Sequence, residues 1–380
     1  MHDRPRPRRT PAALLLVGAL LLGVLAGTSA CGDGRTSAAR TGAARPLKVA
    51  WLDQGKVGTD VWTDAHHRAA QAVAVRFGRK VRTTFTEEVA PGADAAATID
   101  RLVRGGTTLI FATSYPFQAD VLAAAKKYPA VKFDQARGTE RRANVGTYGG
   151  ADEEPLYLAG MAAGADAPDG RIGFVGTVPE PETVRHVDAF TLGARRTNPS
   201  ARVTVAWTGS WYDPAKEQEL GRALVGQGAQ VLASGSVTSV LGDVARATGS
   251  GWVGHDADRS KDYPDVWLAA AVPDWSDYYT DQVGDVLAGR WRPTAYYGSM
   301  RDGFTDLSVL GTRVGPATRA AVETERRRLQ AGTSDVFAGP VTDDHGTERV
   351  PAGSSLPAAE RQRLDWFVDG VVVAGPVGTG

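Results

Sequence analysis

Short apolar runs alternate with longer amphipathic stretches along most of the chain. Leu47 to Leu52 (LKVAWL) predicts a strand. Val61 to Phe77 places Val61, Ala65, Ala69, Ala72, Val73 and Phe77 near one face and predicts a helix. A strand at Val81 to Phe85, a helix at Asp94 to Val103, a strand at Thr108 to Ala112 and a helix at Asp120 to Lys127 follow. Val131 to Phe133 and Asn144 to Tyr148 read as further strands. Strand and helix in strict alternation predict an α/β fold, a parallel sheet with helices on both faces.

The pattern then begins again. Strands are predicted at Arg171 to Val175, Val203 to Trp207 and Gln230 to Ala233. Helices are predicted at Glu182 to Asn198, Pro214 to Gly228 and Val237 to Thr248. Two such units predict two doubly wound lobes, whose strand ends can line one cleft. Beyond Val266 the pattern is no longer a tandem: a strand (Val266 to Val272), a helix (Ser276 to Leu287), a strand (Phe304 to Leu310) and a charged helix (Thr318 to Leu329). Elements of this kind can cross back between lobes and build a multi-crossover hinge.

The start of the chain has a different character. Arg4, Arg6, Arg8 and Arg9 precede an apolar run from Pro11 to Gly27, and Thr28-Ser29-Ala30 leads into Cys31. This is the layout of an export signal. With the cysteine at the cut site it resembles the lipobox of bacterial lipoproteins, although Thr28 stands where that motif usually has leucine. A plain signal peptide or an uncleaved anchor are the alternatives. Cys31 is the only cysteine, so it has no intrachain disulfide partner. Residues 31–46 are rich in Gly, Ala, Ser and Arg and read as a flexible tether. The expected division is a signal peptide over 1–30, the tether over 31–46, a first lobe of 47–150 with about 273–298, a second of 151–272 with about 299–345, and a tail, 346–380, packing on the lobes. Basic and acidic residues balance at 43 each, and no basic block argues for a nucleic-acid partner.

The strand ends carry a set of motifs: DQGKVGTDVWTDAH (Asp53 to His66), WTGSWYDPAKE (Trp207 to Glu217), SGSVTS (Ser234 to Ser239), GHDAD (Gly254 to Asp258), VPDW (Val272 to Trp275), FAGP (Phe337 to Pro340), VPAG (Val350 to Gly353) and DWFVDG (Asp365 to Gly370). In this order they resemble the basic membrane protein family, the purine- and nucleoside-binding lipoproteins of ABC importers, from about Leu47 to Val371. The resemblance implies a type I periplasmic-binding-protein fold with three crossovers. It implies a lipid-anchored extracytoplasmic monomer that captures a small molecule for an ABC permease, with no enzymatic step. The first motif and the DPAKE and VPDW segments look closest to the branch associated with free bases such as adenine.

The resemblance pairs Asp53 with Trp62, an acidic residue and a stacking aromatic, and makes Asp256 an acidic ligand contact. From the residues alone, Trp62 is either a face on which a purine stacks or a core tryptophan of its helix. Asp53 is either a hydrogen-bond acceptor for the ligand or a turn aspartate. Tyr115 and Phe117 form a second wall or pack beneath a loop. Trp211 faces the ligand or packs between lobes. Ser234 and Gly235 end a strand, where backbone N–H groups can meet a polar ligand atom. Asp274 and Trp275 lie at a crossover, where Trp275 either faces Trp62 or braces the hinge. The histidines are scattered and predict no metal, and no phosphate loop or nucleophile elbow appears, so neither a cofactor nor catalysis is expected. A sugar or other polar solute in the same cleft, and a ligand sensor that transports nothing, are the rival readings.

Overall fold

A computed structural model describes residues 45–374. The expected signal peptide, Cys31 and nearly all of the tether lie outside the described residues. The first unit runs β1 (Leu47–Leu52), α1 (Val61–Phe77), β2 (Val81–Thr86), α2 (Ala93–Arg104), β3 (Leu109–Ala112), α3 (Gln118–Lys127), β4 (Lys132–Ala136) and β5 (Val145–Gly150). The second runs α4 (Glu153–Asp166), β6 (Arg171–Gly176), α5 (Pro181–Thr197), β7 (Arg202–Trp207), α6 (Pro214–Gly226), β8 (Val231–Ser234), α7 (Val240–Thr248), β9 (Gly251–His255) and β10 (Trp267–Pro273). Then come α8 (Ser276–Leu287), β11 (Ala295–Gly298), β12 (Thr305–Leu307), α9 (Pro316–Gln330), the paired β13 (Val341–Thr342) and β14 (Glu348–Val350), α10 (Ala358–Arg361) and β15 (Val371–Val373).

One sheet has the order β2-β1-β3-β4-β5-β11 and is parallel throughout. The other has the order β15-β7-β6-β8-β9-β10-β12, parallel except for β12 against β10. Helices cover both faces, so the inner strands are buried along their length: β3, β8 and β9 have every residue buried. Local chemistry fixes the helix ends. Asp60 caps α1 by accepting from the N–H groups of Trp62 and Thr63. Gly228, at φ 95°, closes α6 with bonds from its own N–H to Val225 and from Ala229 to Leu224.

Helix α4, the short strands β11, β13, β14 and β15 and the one-turn α10 are absent from the sequence reading. Helix α4 is buried on nearly every side, so its sequence (EEPLYLAGMAAGAD) has no polar stripe to betray a helical period. It packs against α5 at close range: a Cβ on Gly160 would stand 2.1 Å from the carbonyl oxygen of Phe190, and one on Gly193 would stand 1.9 Å from that of Tyr157. Strand β11 (AYYG) is a short edge strand with no alternation to read, and β15 is a three-residue edge strand added beside β7.

The chain crosses between the sheets after β5, after β10 and after β11. The crossings are laced together. Ala151 N–H donates to Gly298 (2.8 Å), Asp274 N–H to Phe304 (2.6 Å), and the Thr305 hydroxyl to Asp152 (2.8 Å). Below the first lobe's cleft edge lies an aromatic core of Trp51, Phe111, Tyr148, Trp275, Tyr278 and Tyr279.

Candidate functional site

Each sheet has the strand order 2-1-3-4-5 in its own chain numbering, so each has a topological switch point between its first and third strands. Ligands bind there, outside the carboxyl ends. The two switch points face each other. The loops after β1 and β3 on one side, and after β6 and β8 on the other, line a single cleft of about 1140 Å³. Three non-glycine residues among those described have positive φ: Glu88 (54°), Arg137 (54°) and Asp256 (59°). All three line this cleft. Such conformations cost energy and concentrate at functional sites.

On the first lobe, Asp53 is fully buried at the end of β1. Its Oδ1 accepts from the Gly55 N–H (3.0 Å) and the Thr63 hydroxyl (2.6 Å), and its Oδ2 from the Thr113 hydroxyl (2.7 Å). It therefore stitches the β1 and β3 loops together. Burial pushes its carboxyl above the ordinary value, and these hydrogen bonds pull the other way. Trp62 stands in the first turn of α1 with its Nε1 donating to the Thr113 carbonyl at 3.0 Å, which fixes the indole plane. His66 and Trp275 meet it edge to face, at 4.5 and 5.2 Å. Behind it, Tyr148, Tyr279 and His66 form a chain of bonds of 2.9 and 2.7 Å. Burial holds His66 well below its ordinary value, so it is neutral. Tyr115 stands at the cleft wall, 37% exposed.

On the second lobe, Asp256 is buried, and its Oδ1 has no hydrogen-bond partner among the described residues, its nearest cation-capable neighbour being His255 Nε2 at 3.6 Å. Thr177 Oγ1 and His255 Nδ1 are likewise buried without a partner, and both residues line the cleft. Buried polar atoms of this kind carry a desolvation cost until something bonds to them. Trp211 lines the mouth, 40% exposed. Gly235 lines the cleft, but its N–H donates to Val175 at 2.8 Å, so it is not free for a ligand.

Besides Gly235, four residues depart from the expectation. Phe117 is fully buried in the first lobe's core beneath its loop. Ser234 is buried with its hydroxyl accepting from Trp252 Nε1 at 3.0 Å. Asp274 accepts from the Ser276 N–H at 2.9 Å and holds the start of α8. Trp275 is 1% exposed, clamped by His66, Tyr148 and Phe304. It braces the hinge from below the cleft and does not line it.

A charged network spans the cleft that no motif announced. The Arg137 guanidinium, just after β4, lies 4.8 Å from the centre of the Trp62 ring. It pairs with Glu182 at 2.6 Å and with Asp152 at 3.5 Å. Arg185 pairs with Glu153 at 3.2 Å, which also accepts from the Tyr297 hydroxyl at 2.8 Å. Burial pushes Asp152 up to about 6, because Arg137 sits closer to Glu182 and offsets the burial only in part. Glu182 is also buried, yet Arg137 holds its carboxyl below the ordinary value. The one signal in the sequence was position: Glu182 opens a predicted helix, while Arg137 lies beyond the predicted strand Val131 to Phe133, at the end of the polar β4 (KFDQA).

Residues 47–304 match the family model for ABC transporter substrate-binding proteins of the PnrA-like (Bmp) type. The chain belongs to this family. It is 34% identical over 325 residues to a purine-binding protein of Brucella abortus (strain 2308), covering 86% of this chain and 93% of that one. It is 30% identical over 325 residues to a candidate ABC transporter glucose-binding protein of Haloferax volcanii, covering 86% and 80%. Among solved structures, an ABC transporter solute-binding protein from Conexibacter woesei superposes with a TM-score of 0.61 at 22% identity, over 76% of this chain and 98% of that one. The fold is that of type I periplasmic binding proteins. As a member of this family the protein works on the extracytoplasmic side, with a small-molecule ligand and ABC permease subunits as partners. Among the described residues no helix is long and apolar enough to cross a membrane.

Proposed function

We propose that this substrate-binding protein takes an uncharged purine-type ligand, a base or a nucleoside, between its lobes and releases it unaltered to its permease. The observation that carries this reading is the pairing of opposite walls. Trp62 offers a fixed aromatic on one side, and Asp256 offers an unpartnered carboxylate oxygen on the other. A flat heterocycle bearing N–H groups satisfies both at once. Stacking on an aromatic contributes roughly 1–3 kcal/mol per base. The two arginines at the site, the half-buried Arg137 and the buried Arg185, already pair with Glu182 and Glu153, which argues for an uncharged ligand over a phosphorylated one. The purine-binding relative supports the same class.

Calorimetry with adenine, hypoxanthine, their nucleosides and simple sugars tests the class. Trp62→Ala is expected to weaken purine binding about 5- to 100-fold. Equal binding by Trp62→Ala would remove Trp62 from the ligand, and a flat response to every purine would remove the class. A sugar is the second reading, favoured by the Haloferax relative and by the polar second wall.

We also propose that the protein is a monomer whose lobes close about the three crossovers, and that Cys31 carries the lipid that anchors it. A single acyl chain holds a protein to a membrane only marginally, while two hold firmly. Cys31→Ala should then appear in the medium, and retention of that variant in the membrane fraction would refute the anchor.

A further inference from the structure

We propose that Arg137 is a positioning residue that latches the two lobes together, tying the Trp62 wall of the first to the acidic helix starts of the second. Arg137 leaves the first sheet after β4 with φ at 54°, a conformation strained for an arginine and fixed by its N–H bond to the Tyr148 carbonyl at 2.7 Å. From there the guanidinium rests over Trp62 at 4.8 Å, a contact within its own lobe. Its two ion pairs reach across. Glu182 lies in the first turn of α5 and Asp152 immediately precedes α4, and both helices belong to the second lobe. Carboxylates at helix N-termini are favoured by the helix dipole, and Arg137 holds that of Glu182 below its ordinary value, so Glu182 is the anion that faces the guanidinium.

The other ties have a different place. Tyr297 on Glu153 crosses between the lobes beside Gly298 and the crossover strands, next to the hinge, while Thr305 on Asp152 joins two elements of the second lobe. Arg137 lies two strands inward from β11; Asp152 stands in the crossover after β5, so the Glu182 pair, on α5, is the one that depends on closure. The pairs are mostly buried, with Arg137 18% and Asp152 2% exposed at the side chain, so salt screens them less than it screens surface pairs. Opening the lobes separates the charges, and closing them restores a guanidinium plane locked against the indole. Arg137 therefore couples closure to a cation packed on the Trp62 ring, whose plane Thr113 already fixes, before any ligand chemistry is considered.

Small-angle scattering on the ligand-free exported protein tests the latch without reference to purines, so it can fail while the purine reading stands. A compact chain of this length has a radius of gyration of about 20 Å. Arg137→Ala and Glu182→Gln should each raise it by about 1 Å, with unchanged circular dichroism. Arg137→Lys keeps the charge and loses the planar fork, so it should fall between. Should Arg137→Ala fail to fold, the isosteric Glu182→Gln decides alone. Scattering from folded Glu182→Gln that superposes on wild type overturns the latch.

Discussion

Replacing Gly193 by alanine tests the seam that holds the second wall of the cleft. The new Cβ would stand 1.9 Å from the Tyr157 carbonyl oxygen, 2.8 Å from its carbon and 3.1 Å from the Met161 nitrogen. All three atoms are backbone, so no side-chain rotation relieves the clash and α4 and α5 must part by more than an ångström. Gly160 and Gly164 meet α5 backbone at 2.1 and 2.2 Å, so the seam is tight along its length and cannot pivot about one point. Overpacking of this kind costs about 1–3 kcal/mol, and a backbone clash belongs at the upper end. Alanine returns about 1 kcal/mol in helix propensity. The net loss is about 2 kcal/mol, a fall of roughly 3 °C in melting temperature for a chain of this size. Gly284→Ala in α8 is the control, since its Cβ meets only Phe77 Cζ at 3.7 Å. The propensity gain stands there unopposed, and that variant should melt slightly higher. Thermal denaturation of both variants decides. A Gly193→Ala protein that melts at or above wild type would refute the packing argument. Glu182 and Arg185 ride on α5, so its displacement should weaken ligand binding as well.

The remaining predictions concern the buried polar groups. Burial pushes the carboxyls of Asp60 and Asp152 up to about 6 and those of Asp134 and Glu154 up to about 7. Such groups bind more protons folded than unfolded, so their contribution to stability shrinks as pH rises through that window. His66 and His186, buried and held well below their ordinary value, act in the opposite sense, but they are two against four. The melting temperature should therefore be higher near pH 5.5 than near pH 7.5, and a steady climb over that interval would count against these shifts. Tyr279→Phe strands both the Tyr148 hydroxyl and His66 Nδ1, and should cost about 1–3 kcal/mol in urea denaturation. Trp275→Phe should lower stability with little change in ligand affinity; the reverse result would return Trp275 to the ligand.

Elements with a clear period were legible in the sequence: α1 and α8 fall on the boundaries that their patterns predict. Helix α4 was not legible, because burial on nearly every side erases the polar stripe from which a helix is read. Strand β15 was not, because three valines near a chain end gain their identity only from pairing with β7. Among site residues, Asp53, Trp62 and Asp256 were readable as an acid, an aromatic and an acid at strand ends. Trp275 carried the same kind of signal and proved to be core, because VPDW marks a crossover and says nothing about which side of the hinge the indole takes.

The charged network was beyond reach for a different reason. Arg137 and Glu182 are far apart in the chain, lie on different sheets and share no motif. Each alone reads as a solvated surface charge, the ordinary fate of arginine and glutamate. Only two sheets set with their strand ends facing each other bring them within 2.6 Å, at the edge of the Trp62 ring's own contact. On the proposed reading, the ring and the acids that a sequence can nominate are the half of the site that meets a ligand. The half proposed to hold the lobes around it comes from topology, which no single motif records.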